Sequence, residues 1–200
     1  MSTLNTTNLK NPSSGSNNIV LNTDGTTTVP TLSSTTITGT TIQGTIKQGT
    51  SVASTSGTSI DFTGIPSWVK RITVMFDGVS INGTSVILIQ IGDSGGIENT
   101  GYVAYSGVIQ DTVVNSANYT TGYGMGNDNA AANVHSGLHT LANLSGNIWT
   151  LSGSARQAGN RILMAAGSKT LSATLDRVRI TTVNGTDAFD AGTINIAYEG

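Results

Sequence analysis

Cysteine is absent from these 200 residues, so a zinc ribbon, a thiol active site and a disulfide scaffold are all excluded. Charge is scarce as well. Nine Lys and Arg stand against eleven Asp and Glu, a formal net charge of -2, which gives no electrostatic footprint for nucleic acid. Apolar runs such as Val86-Ile87-Leu88-Ile89 fall far short of the roughly 20 residues of a membrane-spanning helix. The opening Met1-Ser2-Thr3-Leu4-Asn5 has no basic start and no apolar core, and is not read as a secretion signal. The expectation is a chain made in a cytoplasm, without membrane insertion. What the sequence does hold is Thr (32), Gly (25), Ser (22) and Asn (18), almost half of all residues. That mixture favours turns and strands over helices.

Aromatic residues are few, and their placement suggests a boundary. None lies in residues 1–59, and all lie between Phe62 and Tyr198. The first 59 residues also carry only Lys10, Asp24 and Lys47 as charges. A segment without large side chains cannot fill a core alone, so it is either a flexible linker or a stretch buried against copies of itself. Single aliphatic residues recur between Thr and Gly, as in Ile37-Thr38-Gly39-Thr40, Ile42-Gln43-Gly44-Thr45 and Ile46-Lys47-Gln48-Gly49-Thr50. This pattern suits a thin stalk in which several chains wind together. Ile37, Ile42 and Ile46 are the candidate trimer-stalk core.

Residues 60–200 read as an all-β domain. Ile72, Val74 and Phe76 share one face at period two. Val86 to Ile91 suits a strand covered on both faces, and Trp149 and Leu151 share a face of another. Asp77-Gly78, Asn82-Gly83 and Asn184-Gly185 are turn dipeptides, Asn82-Gly83 being a strong hairpin signal. Leu171, Ala173 and Leu175 alternate on odd positions, then Val178, Ile180 and Thr182 on even ones. That slip near Asp176 predicts a bulge or a break between strands. Seven to nine strands are expected, closing with Ile194, Ile196 and Tyr198, as a β-sandwich or jelly-roll head.

Catalytic patterns are thin. No Gly-x-Ser-x-Gly elbow occurs, and only His135 and His139 are available as an imidazole base. Asp187 with Asp190, and Asp93 with Glu98, are turn acids of the kind that solvent usually claims. His135 and His139 have metal-like spacing for a helix, but in a strand their positions are about 13 Å apart. Gly122-Tyr123-Gly124-Met125-Gly126 fits neither the dinucleotide nor the phosphate-loop pattern. No enzyme, metal or cofactor is expected. The basic doublets Lys70-Arg71 and Arg177-x-Arg179 are read as partners of nearby acids or of another subunit. The stretch from Tyr119 to Asn133 is rich in Tyr, Asn, Asp and Gly, a mixture found in binding loops. Its tyrosines either stack on a ligand or pack on the domain or a subunit interface. Tyr119, Tyr123, Asn127, Asp128 and Asn129 are the candidate receptor-binding residues.

The segment from Ser59-Ile60-Asp61-Phe62-Thr63-Gly64-Ile65-Pro66 through Trp68-Val69-Lys70-Arg71-Ile72 resembles the start of the C-terminal domain of tail-fibre-like proteins of tailed bacteriophages and prophages. Ile89-Gln90-Ile91-Gly92-Asp93-Ser94-Gly95-Gly96 and Leu175-Asp176-Arg177-Val178-Arg179-Ile180 through Asp187 are similar to the same family, which the resemblance follows over about residues 57–200. Asn8-Leu9-Lys10-Asn11-Pro12 is similar to the short N-terminal lead of other phage appendage proteins. The resemblance implies a virion structural protein and a homotrimer on the phage tail or capsid surface. Residues 1–59 would anchor to other virion proteins and form the stalk. Residues 60–200 would form an outward head attaching to a bacterial surface glycan or protein. It carries over no catalytic residue. A capsid decoration or head-fibre protein with a structural role is the alternative.

Overall fold

A computed structural model describes residues 46–200, except 112 and 132, together with 8–9, 13, 15, 19–21, 23 and 27–28. The chain divides into two units, Met1–Thr40 and Thr41–Gly200. In the first, β1 (Asn8–Leu9), β2 (Ile19–Leu21) and β3 (Thr27–Thr28) form a small antiparallel sheet in the order β1-β2-β3, with Val20 opposite both Asn8 and Thr28.

The second unit begins before the aromatic-rich region. Its β4 (Lys47–Gln48) and β5 (Val52–Ala53) both pair with the last strand, and Ser54 N–H donates to the Gly192 carbonyl. Residues 47–53 of the aromatic-free stretch therefore take part in the sheet of the last strand. There follow β6 (Ile60–Thr63), β7 (Arg71–Ile81), β8 (Ile87–Asp93), β9 (Gly96–Ile97), β10 (Tyr102–Gln110) and β11 (Val113–Tyr119). The remainder are β12 (Tyr123–Gly124), β13 (His135–Ser145), β14 (Ile148–Gln157), β15 (Arg161–Thr170), β16 (Arg177–Thr182) and β17 (Phe189–Glu199).

These strands build two antiparallel sheets. The nine-stranded one runs β11-β10-β15-β14-β13-β7-β17-β4 with β5 also on β17, and the five-stranded one runs β12-β8-β16-β6 with β9 on β8. Their inner faces share a core. Ile72, Val74 and Phe76 of β7 meet it from the large sheet, and Ile87, Ile89 and Ile91 of β8 with Val178 and Ile180 of β16 meet it from the small one. The architecture is all-β and sandwich-like, as the period-two pattern predicts. The parity slip near Asp176 is a break: residues 171–176 lie between β15 and β16, with Leu171 and Leu175 buried.

Two turn signals behave differently from expectation. Asn82-Gly83 does not close a hairpin, because β7 and β8 belong to different sheets. The dipeptide instead carries the chain from one sheet to the other. Asn82 Oδ1 accepts the Ala188 N–H at 2.9 Å, and Ser85 N–H donates to Asp187 at 2.9 Å. A Cβ at Gly83 would collide with the Asp187 carboxylate, so glycine is required for the carboxylate to reach Ser85. Asp77-Gly78 lies inside β7. Gly78 has φ 66° and sits where the pairing with β17 and β13 shifts register, a bulge rather than a turn.

Candidate functional site

The predicted loop is held down by its own tyrosines. Tyr123 is 0% exposed. Its ring meets Tyr102 edge to face at 5.0 Å, and its hydroxyl donates to the Trp149 carbonyl at 3.3 Å. Burial pushes its phenol far above the ordinary range. Tyr119 is half-buried, lies over Gly124, where a Cβ would strike the ring, and donates to the Gly126 carbonyl at 2.7 Å. The missing side chain at Gly124 lets the Tyr119 ring approach backbone closely. Both tyrosines pack on the domain, Tyr123 fully and Tyr119 in part.

The three polar candidates do not form one surface cluster. Asn129 is spent on structure: its Nδ2 donates to the Ser85 carbonyl at 3.2 Å and its Oδ1 accepts Gln157 Nε2 at 3.1 Å. Asn127 is partly buried, and its Oδ1 is a buried atom with no partner among the described residues. Asp128 is exposed and pairs with Arg161. Of the stalk candidates, Ile46 is 71% exposed, while Ile37 and Ile42 lie outside the described residues.

A better-formed concavity lies on the outer face of the five-stranded sheet. Alternation turns Ile87, Ile89 and Ile91 inward, which leaves Leu88 and Gln90 of β8, with Arg179 and Thr181 of β16, on the opposite face. The rim is built by Thr58 and Ser59 before β6, Asn99 after β9, Thr121 before β12 and the Asn184-Gly185 turn after β16. Together they bound a cavity of about 370 Å³.

Its polar groups are fixed by partners. Gln90 Nε2 donates to the Thr121 carbonyl at 2.8 Å, tying the floor to the start of the predicted loop. Gly122 makes this possible, because its missing side chain lets backbone rest against Gln90 and Leu88. Thr181 Oγ1 donates to the Thr58 carbonyl at 2.9 Å. Arg179 donates to both oxygens of Asp61 at 2.7 Å, so its charge is neutralised in place. The depression thus offers hydroxyls, amides and one paired guanidinium over an apolar floor of Leu88 and Ile97. No lining residue is a histidine or an acid. Such a surface can bind an uncharged polyhydroxyl compound through directional hydrogen bonds.

Sequence reading missed this site. Gln90 lies inside a run that reads as a strand covered on both faces, and Arg179 reads as a partner of a nearby acid, a role it fills. Arg71 likewise pairs with Glu199, and Arg177 with Asp176. The acids considered for hydrolysis are engaged elsewhere: Asp93 accepts Ser172 Oγ at 2.6 Å, Glu98 pairs with Lys169 at 2.5 Å, Asp187 accepts Asn184 Nδ2 at 2.7 Å, and Asp190 accepts Ser80 Oγ. His135 and His139 both point into the core. His135 bonds the Val79 carbonyl through Nδ1 and Gln157 through Nε2, and His139 stands edge-on to Phe76 at 6.0 Å. Among the described residues no group of three or more His, Asp or Glu is placed to hold a metal ion. Comparison with family models, with curated proteins and with solved structures finds no match.

Proposed function

We propose that this chain is a bacteriophage virion structural protein, a short homotrimeric fibre that attaches to the bacterial surface. The N-terminal segment mounts it on other virion proteins, and the β head carries the receptor contact in the depression on the five-stranded sheet. The observation that carries this reading is the depression itself, neutral, polar and held open by Gln90, Arg179 and Thr181. Those features suit a surface glycan. The resemblance at Ser59–Ile72 and Leu175–Asp187 supports the viral assignment. Weak sites repeated on one trimer, and again around a particle, give tight adhesion without a strong single contact.

The capsid-decoration reading draws on one specific observation: Tyr123, the largest side chain among the loop candidates to be fully buried, offers nothing to a receptor. Binding of labelled full-length chain to host cells separates the two. Cell binding that falls in Thr121→Trp, which fills the depression from an exposed rim position, supports attachment. Binding unchanged by that variant removes the depression from the account. No cell binding, with the chain located on capsids by immunogold labelling, replaces attachment with decoration.

A further inference from the structure

The outer face of the nine-stranded sheet breaks the usual alternation of apolar inside and polar outside. In β10, Tyr102, Ala104, Ser106 and Val108 are buried, yet the residues between them, Val103 and Tyr105, are 65% and 57% exposed. Neighbouring strands repeat this. Val114, Leu138, Ile162 and Met164 are 73%, 50%, 51% and 42% exposed. Register gathers them: Ile109 stands opposite both Val114 and Ile162, Gly107 opposite Met164, Met164 opposite Ser154, and Ser154 opposite Leu138. One apolar and small-residue field therefore crosses five strands, β11, β10, β15, β14 and β13.

We infer that this face is where copies of the chain meet, sheet against sheet. The inference rests on that part of the proposed function in which identical chains assemble, and not on the receptor. Three properties select a second copy. The first is size. Five strands at about 4.8 Å spacing and seven residues at about 3.4 Å cover roughly 20 by 25 Å. That projected area, about 500 Å² before side-chain relief, is that of a small interface, below the ~800 Å² each partner gives a standard one. The second is width, since a single extended segment laid on it would cover only about one strand spacing, whereas a second sheet covers it all. The third is the relief of the face. Tyr105 projects beside a shallow trough of about 510 Å³ lined by Gly107, Ser116, Ser154, Met164 and Ala166. A projection and a hollow on one neutral face let one copy fill another. Arg156 of β14, directly opposite Ile162 of β15, is a charged residue at its margin.

The test is the solution mass of the full chain at micromolar concentration, with Tyr105→Glu and Met164→Lys as outward-facing variants. A mass of two or three times 20.4 kDa that falls to one chain in both variants, with the far-ultraviolet spectrum unchanged, is the expected result. Because the chain has no cysteine, Ser154→Cys with a short bismaleimide gives a second readout that leaves the face apolar. Covalent multimers are expected there, and none from Asn99→Cys at the rim of the depression. A wild-type mass of 20.4 kDa, or multimers that neither variant disrupts and Ser154→Cys does not crosslink, overturns the inference. Neither readout involves a receptor, so cell binding can fail with this contact intact, and this contact can fail with cell binding intact.

Discussion

Arg179 and Asp61 face each other across β16 and β6, joined by two parallel hydrogen bonds of 2.7 Å. The pair staples the outermost strand of the small sheet and fixes the guanidinium at the wall of the depression. Its hydrogen bonds hold the Arg179 charge firmly, while about a third of each side chain stays exposed. Arg179→Lys keeps the charge but loses the fork. Because exposed ion pairs are worth at most about 1 kcal/mol, calorimetry should show a small drop in melting temperature. Glycan binding should fall more than stability does, since the wall of the site loses its geometry.

Tyr102 is the most connected buried hydroxyl of the core. It accepts the Ile91 N–H at 2.9 Å and donates to the Glu98 carbonyl at 2.8 Å. It thereby joins the large sheet to β8 in the small one. Tyr102→Phe leaves a buried N–H without its acceptor, at a cost of about 1–3 kcal/mol. Urea unfolding should show an earlier midpoint with little change in slope.

Burial depresses the basicity of His139 to about 4, and among the described residues neither ring nitrogen has a partner. Burial also lowers His135. The unfolded chain protonates its histidines near 6.5, while the folded chain holds His139 neutral down to about 4. Stability is therefore full above about pH 6.5 and falls as the pH drops towards 4. At about 1.36 kcal/mol per pH unit, His139 alone removes roughly 3 kcal/mol over that window. Asp93 and Asp187, held low chiefly by bonds from Ser172 and Asn184, add their loss only as the pH falls through the range below 3.8. Urea unfolding at pH 7.5 and pH 5 checks this. His139→Leu should match wild type at pH 7.5 and flatten the acid slope.

Gly192 has φ 92° and rests directly on the Gly78 backbone, so a Cβ there would collide with the Gly78 carbonyl. Gly192→Ala carries both a steric and a conformational penalty, and should destabilise by more than about 1 kcal/mol.

Legibility followed contrast between the two faces of a strand. β7, β8, β14, β16 and β17 were readable because apolar residues sit on one face at period two or fill both. β15 was not: Ile162 and Met164 point outward while Leu163 and Ala165 point inward, so the alternation vanishes. β11 exposes Val113 and Val114 on opposite faces and has no buried side to announce it. Asn82-Gly83 signals a reversal, but the sequence does not say whether the chain returns to the same sheet. Depth was the other blind spot. Gly-Tyr-Gly composition suggests a surface loop, and it was the absence of side chains at Gly122 and Gly124 that let the chain fold close against β8 and Tyr119.

The central claim is that the depression over β8 and β16 binds a bacterial surface glycan. An amide NMR titration of the full chain with purified envelope oligosaccharides tests it most directly. The account predicts shift changes gathered at Gln90, Asn99, Thr121, Thr181 and Asn184, and absent in Thr121→Trp. Shift changes confined to other surfaces, or none at saturating oligosaccharide, would contradict it.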